Sequence, residues 1–409
     1  MLTECVRFLQ ENFWEVRAVK KFFIVLMMSL LVASTGNAEI KTYESTEEYL
    51  MSEFETMDIA KQRAKQKAER SAQEQAGVYI STYSETKDFE LVKDEVVAIT
   101  CGIVNVVDVK YSVTPADNAT GFLIRATVKV NINSDDVNKW LEKSAQEKST
   151  IVTQNKELQA AVAAQDATIT KLKRQIEKLK AEGKLSGKRE REKVSEEIAA
   201  EDKIFQANQK FEAAQKSFFN HNYEEAIRLC DESIKIYPTA QVYCGRGNAY
   251  GVLRNFQQTI ADCTEAIKLD ANYAMAYNDR GAAYGILGNH QQALADFNKA
   301  IELNPNLALA YNNRGSTFRT LGNIPQGITD LNRAIELEPR VDFFYFNRGL
   351  CYVGMNDAPN AIENFNKAIE LNPNFAQAYF ARGKCYQFVG NMAQAQADLS
   401  KAAALGFRG

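Results

Sequence analysis

In the C-terminal half of the 409-residue chain, apolar and small positions return at a fixed interval. The phrases YCGRGNAYG from Tyr243, YNDRGAAYG from Tyr277, YNNRGSTFR from Tyr311, YFNRGLCYV from Tyr345 and YFARGKCYQ from Tyr379 lie 34 residues apart. A period of this length marks stacked units, each burying its apolar face against its neighbours. A second stretch of helical periodicity follows each phrase, as in QQALADFNKAIELNPN from Gln291 to Asn306 and APNAIENFNKAIELNPN from Ala358 to Asn374. Each unit is therefore predicted to be helix, turn, helix. Six units are expected, over 207–239, 240–273, 274–307, 308–341, 342–375 and 376–409. The first is degenerate, marked by Ala214, Tyr223, Ala226 and Pro238.

In the third unit Tyr277, Gly281, Tyr284, Ala293, Phe297, Ala300 and Pro305 run aromatic, Gly, aromatic, Ala, aromatic, Ala, Pro. Tyr311, Gly315, Phe318, Leu331, Ala334 and Pro339 repeat most of this order one unit later. In this pattern the chain resembles the tetratricopeptide repeat family, which implies an α-solenoid of paired helices A and B over 207–409. Gly281 and Ala293 are expected to be small because helices A and B cross closely there, while Phe297 and Ala300 pack on the next unit. Pro305 ends helix B. Arg246, Arg280, Arg314, Arg348 and Arg382 stand where the family usually carries Leu. A buried stem with the guanidinium paired or at the surface is expected of each. The fold class is mainly α: six tetratricopeptide helix pairs, preceded by a coiled-coil helix and a small α/β domain.

Upstream, Ile151, Leu158, Gln165, Leu172 and Leu179 recur every seven residues, with Asn155, Val162, Ile169 and Ile176 four residues after them. Read as d and a positions, they favour a parallel two-stranded coiled coil over 141–182, with Asn155 setting its register. A homodimer through residues 151–180 follows; the alternative is an amphipathic helix packed back on the repeats. Gly183 and Gly187 flank a break, and the charged stretch over 183–206 is expected to run helically into the first repeat.

Residues 39–140 read as the small α/β domain. Ala60, Ala64, Ala68, Ala72 and Ala76 follow Thr56, an N-cap candidate, and precede Gly77, a C-cap signal. Val107, Val109, Tyr111 and Val113 alternate with polar residues, as do Phe122, Ile124, Ala126, Val128, Val130 and Ile132. Two half-buried strands are predicted, paired as a hairpin through the loop from Pro115 to Gly121. This layout is similar to the N-terminal domain of flagellar T-ring proteins and of small envelope lipoproteins, a resemblance of pattern that points to the cell envelope.

At the N-terminus Lys20 and Lys21 precede an apolar run from Phe22 to Ser34 and then Gly36, Asn37 and Ala38. That order predicts a signal peptide over 1–38, with Val19 as a candidate bacterial start. The run is shorter than the roughly 18 to 20 residues of a spanning helix, so cleavage after Ala38 is expected rather than stable membrane insertion. The mature chain is then exported, to the periplasm or cell envelope. Lys plus Arg number 49 against 52 Asp plus Glu, for a net charge of -3, which offers no attraction for a polyanion. Nucleic acid is excluded as a partner class on that ground. Cys101, Cys230, Cys244, Cys263, Cys351 and Cys385 form no CxxC pair, and buried free thiols are expected.

The two histidines, His221 and His290, fall at turns between helices A and B, and no nucleotide, zinc or hydrolase motif is present. Neither catalysis nor a cofactor is expected; a hydrolase within 39–140 would have no His and one Cys to work with. In the resembled family helix A lines the inner wall of the array. Carried over position by position, that implies Asn278, Asn312, Phe346 and Phe380 at one site, Asp279, Asn313 and Asn347 at the next, and Asn248, Ser316 and Lys384 a turn later, with Arg319 and Gln387 beyond. A row of Asn carboxamides can donate to and accept from the backbone of an extended peptide. Phe346 and Phe380 serve either as an apolar anchor or as inter-repeat packing. Lys384 and Arg319 supply only part of a carboxylate clamp. The expected function is an exported, non-catalytic scaffold binding a polypeptide in this groove; the alternative is a structural component of an envelope or flagellar-type assembly, attached through 39–140. Helix B of the last unit can itself serve as the cap of the array; the alternative is end-to-end association through Leu399, Leu405 and Phe407.

Overall fold

The alternation in residues 122–133 becomes the central strand of a three-stranded antiparallel sheet. In the computed structural model, which describes residues 39–85, 91, 93–116, 121–141, 145–181 and 188–407, the strands are β1 (Ile40–Leu50), β2 (Asn105–Pro115) and β3 (Phe122–Asn133), in the order β1-β3-β2. The signal-peptide reading of 1–38, the break at Gly183 and Gly187 and the loop over 117–120 lie outside the described residues.

Ile124, Ala126, Val128, Val130 and Ile132 of β3 are fully buried on one face. The other face is polar, with Arg125 Nε donating to Glu48 at 3.0 Å and Lys129 paired with Glu44 at 3.1 Å. Helix α1 (Met57–Glu85) lies across the buried face, and Ala60, Ala64, Ala68, Ala72 and Ala76 have no exposed surface. Side chains that end at Cβ let its backbone settle close to β1 and β3.

Three expectations change here. Strand β1 was not predicted: its sequence, IKTYESTEEYL, buries only Ser45 and Tyr49 fully and so lacks an apolar alternation. Gly77 does not end α1, which continues to Glu85; it is small because helix α2 (Lys93–Ile103) crosses there, and an added Cβ would lie 3.2 Å from Val96 Cγ1. Strand β2 pairs with β3 as predicted, but it lies beyond the cover of α1 and leaves Tyr111 40% and Val113 39% exposed. It is an open edge with a bulge at Val106 and Asp108.

Helix α3 (Ser134–Leu141) buries Trp140 completely and leads to the long helix α4 (Ala145–Ala181). Helix α5 (Lys188–Phe219) returns antiparallel to α4 and, as expected of the charged stretch, runs without interruption into the first repeat. The heptad seam of α4 is covered by the chain's own residues. Leu172 and Ile176 cluster with Val194 and Ile198; Leu158 and Val162 cluster with Phe211, Ala214, Leu229 and Val242. Gln165 Nε2 donates to the Glu201 carbonyl at 2.9 Å and Asn155 is buried. The homodimer through residues 151–180 is thereby corrected: the surface it needs is occupied inside one chain, because an apolar stripe does not specify which apolar surface it meets.

Six helix pairs follow in the predicted register: the end of α5 with α6 (Tyr223–Ile236), α7 (Ala240–Val252) with α8 (Phe256–Leu269), α9 (Ala274–Ile286) with α10 (His290–Leu303), α11 (Ala308–Thr320) with α12 (Ile324–Leu337), α13 (Asp342–Gly354) with α14 (Ala358–Leu371), and α15 (Ala376–Phe388) with α16 (Met392–Ala404). A Cβ on Gly281 would lie 2.8 Å from the Phe297 ring, which is the close A–B crossing that the small residue permits. Each A–B turn holds one residue at positive φ: His221, Arg254, Gly288, Gly322, Asn356 and Gly390. The small domain is not a separate body, since Ile151 of α4 and Phe219 of α5 belong to its hydrophobic core.

Candidate functional site

Successive first helices, α7, α9, α11, α13 and α15, touch one another along the array more closely than the second helices do, which puts them on the inner side. Their asparagines face each other instead of standing free. Asn347 Nδ2 donates to Asn312 Oδ1 at 2.8 Å, Asn312 Nδ2 to Asn313 Oδ1 at 3.0 Å, Asn313 Nδ2 to Asn278 Oδ1 at 3.0 Å, and Asn278 Nδ2 to Asp279 Oδ1 at 3.0 Å. The Cys244 thiol closes the relay on Asp279 Oδ2 at 3.0 Å. Burial raises the Asp279 carboxyl above its ordinary value, opposed by hydrogen bonds from Cys244, Asn278 and Asn248. Asn278 and Asn312 are each 3% exposed. The expected row of free carboxamides is thus an internal ladder in which donors go alternately to the adjacent residue and to the neighbouring repeat.

The arginine series forms a second ladder. Arg280 Nε and Nη2 donate to Asp296 at 2.8 Å each, and Arg314 to Asp330 at 2.8 and 2.7 Å, always 16 residues on, in helix B of the same pair. Nη1 reaches back to helix B of the preceding pair, as Arg314 to Asn298 and Arg382 to Asn366, both at 2.7 Å. Each guanidinium also sits 5.3 to 5.6 Å from the Tyr ring three residues before it. The recurrence is structural, and its signal was present as Asp262, Asp296, Asp330 and Asp398 at constant distance from each Arg.

What the inner wall offers a ligand lies at its C-terminal end. Phe346, Leu350, Phe380, Ala381, Phe388 and Phe407 line an open apolar pocket of about 430 Å³, with Lys384 at its rim. Phe346 packs on Phe365 and Phe375, and Phe380 on Phe407, so both serve packing and the pocket wall at once. Phe388 is 70% exposed, and the Lys384 ammonium stands 5.3 Å from the Phe380 ring. Midway along the wall Ser316 Oγ and Arg319 Nε, one turn apart on α11, are buried without a hydrogen-bond partner. Helix α4 meets α7 and α13 on this same side, so part of the inner wall is filled by the chain itself.

A cluster that sequence reasoning missed joins β1 to the α4–α5 hairpin. Glu55, 1% exposed at its side chain, takes Arg63 and the Tyr49 hydroxyl, and Lys173 lies 3.3 Å away. Burial lowers the Lys173 pKa to about 8 against the pull of Glu55. Burial raises Glu55, but Lys173, Tyr49, Ser52 and Arg63 outweigh it and leave the carboxyl below its usual value. Tyr49, Glu55 and Arg63 are near in the chain but Lys173 is more than a hundred residues on, and no spacing announces the set. The six cysteines of the described residues are free, and five are buried. Among the described residues no three His, Cys, Asp or Glu side chains converge in a way that holds a metal ion.

Family models described as tetratricopeptide repeat match residues 274–307, 308–341, 343–375 and 364–397. DnaJ homolog subfamily C member 7 of Mus musculus is 40% identical over 73 residues, which is 17% of this chain and 15% of that protein, and its Homo sapiens counterpart matches equally. The chain therefore spans a small part of the length of these relatives. Similar solved structures include the APC/C hetero-tetramer Cut9-Hcn1, with 18% identity, 51% of this chain and 42% of that chain covered and a TM-score of 0.47. MamA is 27% identical over 39% of this chain and 93% of its own, with a TM-score of 0.35. TTC0263, a thermophilic repeat protein of Thermus thermophilus, is 18% identical over 44% and 99%, with a TM-score of 0.41. Residues 274–397 thus carry tetratricopeptide repeats, as four helix pairs in the 34-residue register.

Proposed function

We propose that this chain is an exported, non-catalytic scaffold that holds a polypeptide partner at the C-terminal end of its repeat wall. The carrying observation is the open apolar pocket between α13 and α15, walled by Phe346 and Phe380 and rimmed by Lys384. Aromatic walls of this kind give an apolar side chain a desolvated seat, where interface energies concentrate. The partner is an extended segment that seats an aromatic or large aliphatic residue there and directs backbone carbonyls toward Arg319 and Ser316. Export rests on the Lys20–Ala38 pattern alone.

A displayed library of random peptides, selected on the full chain, tests this reading. Enriched peptides should share one large apolar residue, and the double variant Lys384→Glu, Phe388→Glu should lose them while keeping its melting temperature, since both side chains are exposed. Equal enrichment on parent and variant overturns the pocket as the site.

A second reading, attachment to an envelope assembly through the small domain, is favoured by the open edge of β2 with Tyr111 and Val113 exposed on its covered-face side. An unpaired, half-apolar edge accepts a strand from another chain. Removing 39–140 would tear open the shared core, so Val113→Lys is the informative change. Loss of localisation with peptide capture retained supports attachment; unchanged localisation removes it.

A further inference from the structure

Between α1, α2, α4 and the end of α5, against the first helix pair, lies a cavity of about 570 Å³. Its lining mixes apolar surface, from residues such as Ile151, Leu158 and Phe219, with a concentration of polar groups. Three of those groups are buried and lack any hydrogen-bond partner: Gln62 Oε1, Arg70 Nη2 and Asn155 Oδ1. Asn155 is only 8% exposed. A buried polar atom left unpaired costs about 1–3 kcal/mol, and native folds keep few of them. Three around one space, contributed by two different helices, point to something that pairs with all of them.

The orphaned set has a definite chemistry. Arg70 already donates from Nη1 to Asp166 at 2.9 Å, and its unpaired Nη2 is a charged donor that calls for an anionic acceptor. Gln62 and Asn155 present carbonyl oxygens, which call for donors. Glu212, beside them, accepts from Gln66 Nε2 at 3.1 Å and faces the same space. The other cations of this wall are engaged: Lys65 with Glu69 at 3.2 Å, Lys210 with Glu232 at 2.7 Å, and Lys216 with the Val104 carbonyl at 2.6 Å and Asn105 Oδ1 at 3.0 Å.

We propose that this cavity binds a small zwitterion, an α-amino acid or dipeptide with an apolar side chain. Its carboxylate takes the free Arg70 N–H, its ammonium group donates to Gln62, Asn155 and Glu212, and its side chain lies on Ile151, Leu158 and Phe219. The volume is within the range of small-molecule sites, and the lining, more polar than such sites usually are, sets an apolar patch beside converging polar groups. This site uses only the first helix pair of the array and shares no residue with the peptide pocket, so the two succeed or fail separately.

Calorimetric titration of the full chain with a panel of α-amino acids and dipeptides, alongside thermal melting, decides it. At least one member with an apolar side chain should bind and raise the melting temperature, and its N-acetyl and C-amide forms should each bind about tenfold more weakly or worse. Asn155→Leu and Gln62→Leu should weaken binding to a similar extent. Unliganded, Gln62→Leu should melt no lower than the parent, because it removes an orphaned group; this separates a binding role from a structural one. Binding by no member of the panel, equal binding of a neutral sugar, or affinity unchanged in both Leu variants would overturn the assignment and leave ordered water as the occupant.

Discussion

Asn347 Nδ2 donates to Asn312 Oδ1 at 2.8 Å across the boundary between the fourth and fifth helix pairs. Asn312 in turn donates to Asn313, so one buried side chain holds two neighbours. Asn312→Ala strips Asn347 Nδ2 of its acceptor and Asn313 Oδ1 of its donor and should destabilise the folded chain by about 1–3 kcal/mol. Chemical denaturation reads this directly. A variant as stable as the parent would mean that the ladder is incidental and the amides are free for a ligand after all.

Arg314 is clamped by Asp330, which is 3% exposed and receives two of its N–H groups. Restoring the family's usual residue by Arg314→Leu strands that carboxylate and should cost about 3 kcal/mol or more. Adding Asp330→Ala should recover most of the loss, because no charge is then left buried. The pair Arg348 and Asn364 already shows a neutral acceptor in the same place, with Nε donating at 2.7 Å. Melting of the single and double variants measures the coupling.

The Glu212 carboxyl is pushed up to about 7 by burial and by the Glu69 and Asp166 charges, against Arg70 and the Gln66 hydrogen bond. Its ordinary value is 4.5, so between there and about 7 the folded chain holds a proton that the unfolded chain has released. Stability from this group is complete below 4.5 and is lost as pH rises through 7. Glu212→Gln should flatten that slope and raise stability at pH 8 by roughly 1–2 kcal/mol. Denaturation midpoints taken from pH 5 to 8 on both proteins test the sign.

Arg254 holds φ at 60° in a turn where the equivalent positions of three other pairs are glycine. A side chain in the left-handed region costs of order 1 kcal/mol, and glycine there escapes it. Arg254→Gly should therefore raise the melting temperature slightly, whereas Gly322→Val, at φ 82°, should lower it. Differential calorimetry distinguishes the two signs.

Much of the repeat array was legible in the chain alone. Tyr277, Gly281 and Phe297 recur at a constant interval because each pair meets the same neighbour, and the unit starts read at 240, 274, 308, 342 and 376 coincide with the first residues of α7, α9, α11, α13 and α15. The small domain was read less well. Strand β1 carries Thr and Glu where an apolar alternation would have revealed it, and only its eleven-residue pairing with β3 makes it a strand. Gly77 looked like a helix end because a glycine that admits a crossing helix and one that caps a helix are the same letter. For the candidate site, the Phe346 and Phe380 positions were recoverable from the repeat register, while the cavity lined by Gln62, Arg70 and Asn155 was not, since its walls come from distant segments.

The amino-acid order by itself determined the repeat period, the close A–B crossings at glycine and the turn residues, because these depend on local sterics and on contacts between neighbours at a fixed interval. Tertiary structure alone decided what the apolar seam of α4 buries against, which asparagines remain free and where orphaned polar atoms gather. Apolar burial has no direction and a carboxamide accepts many partners, so only the arrangement of distant segments in space selects among them.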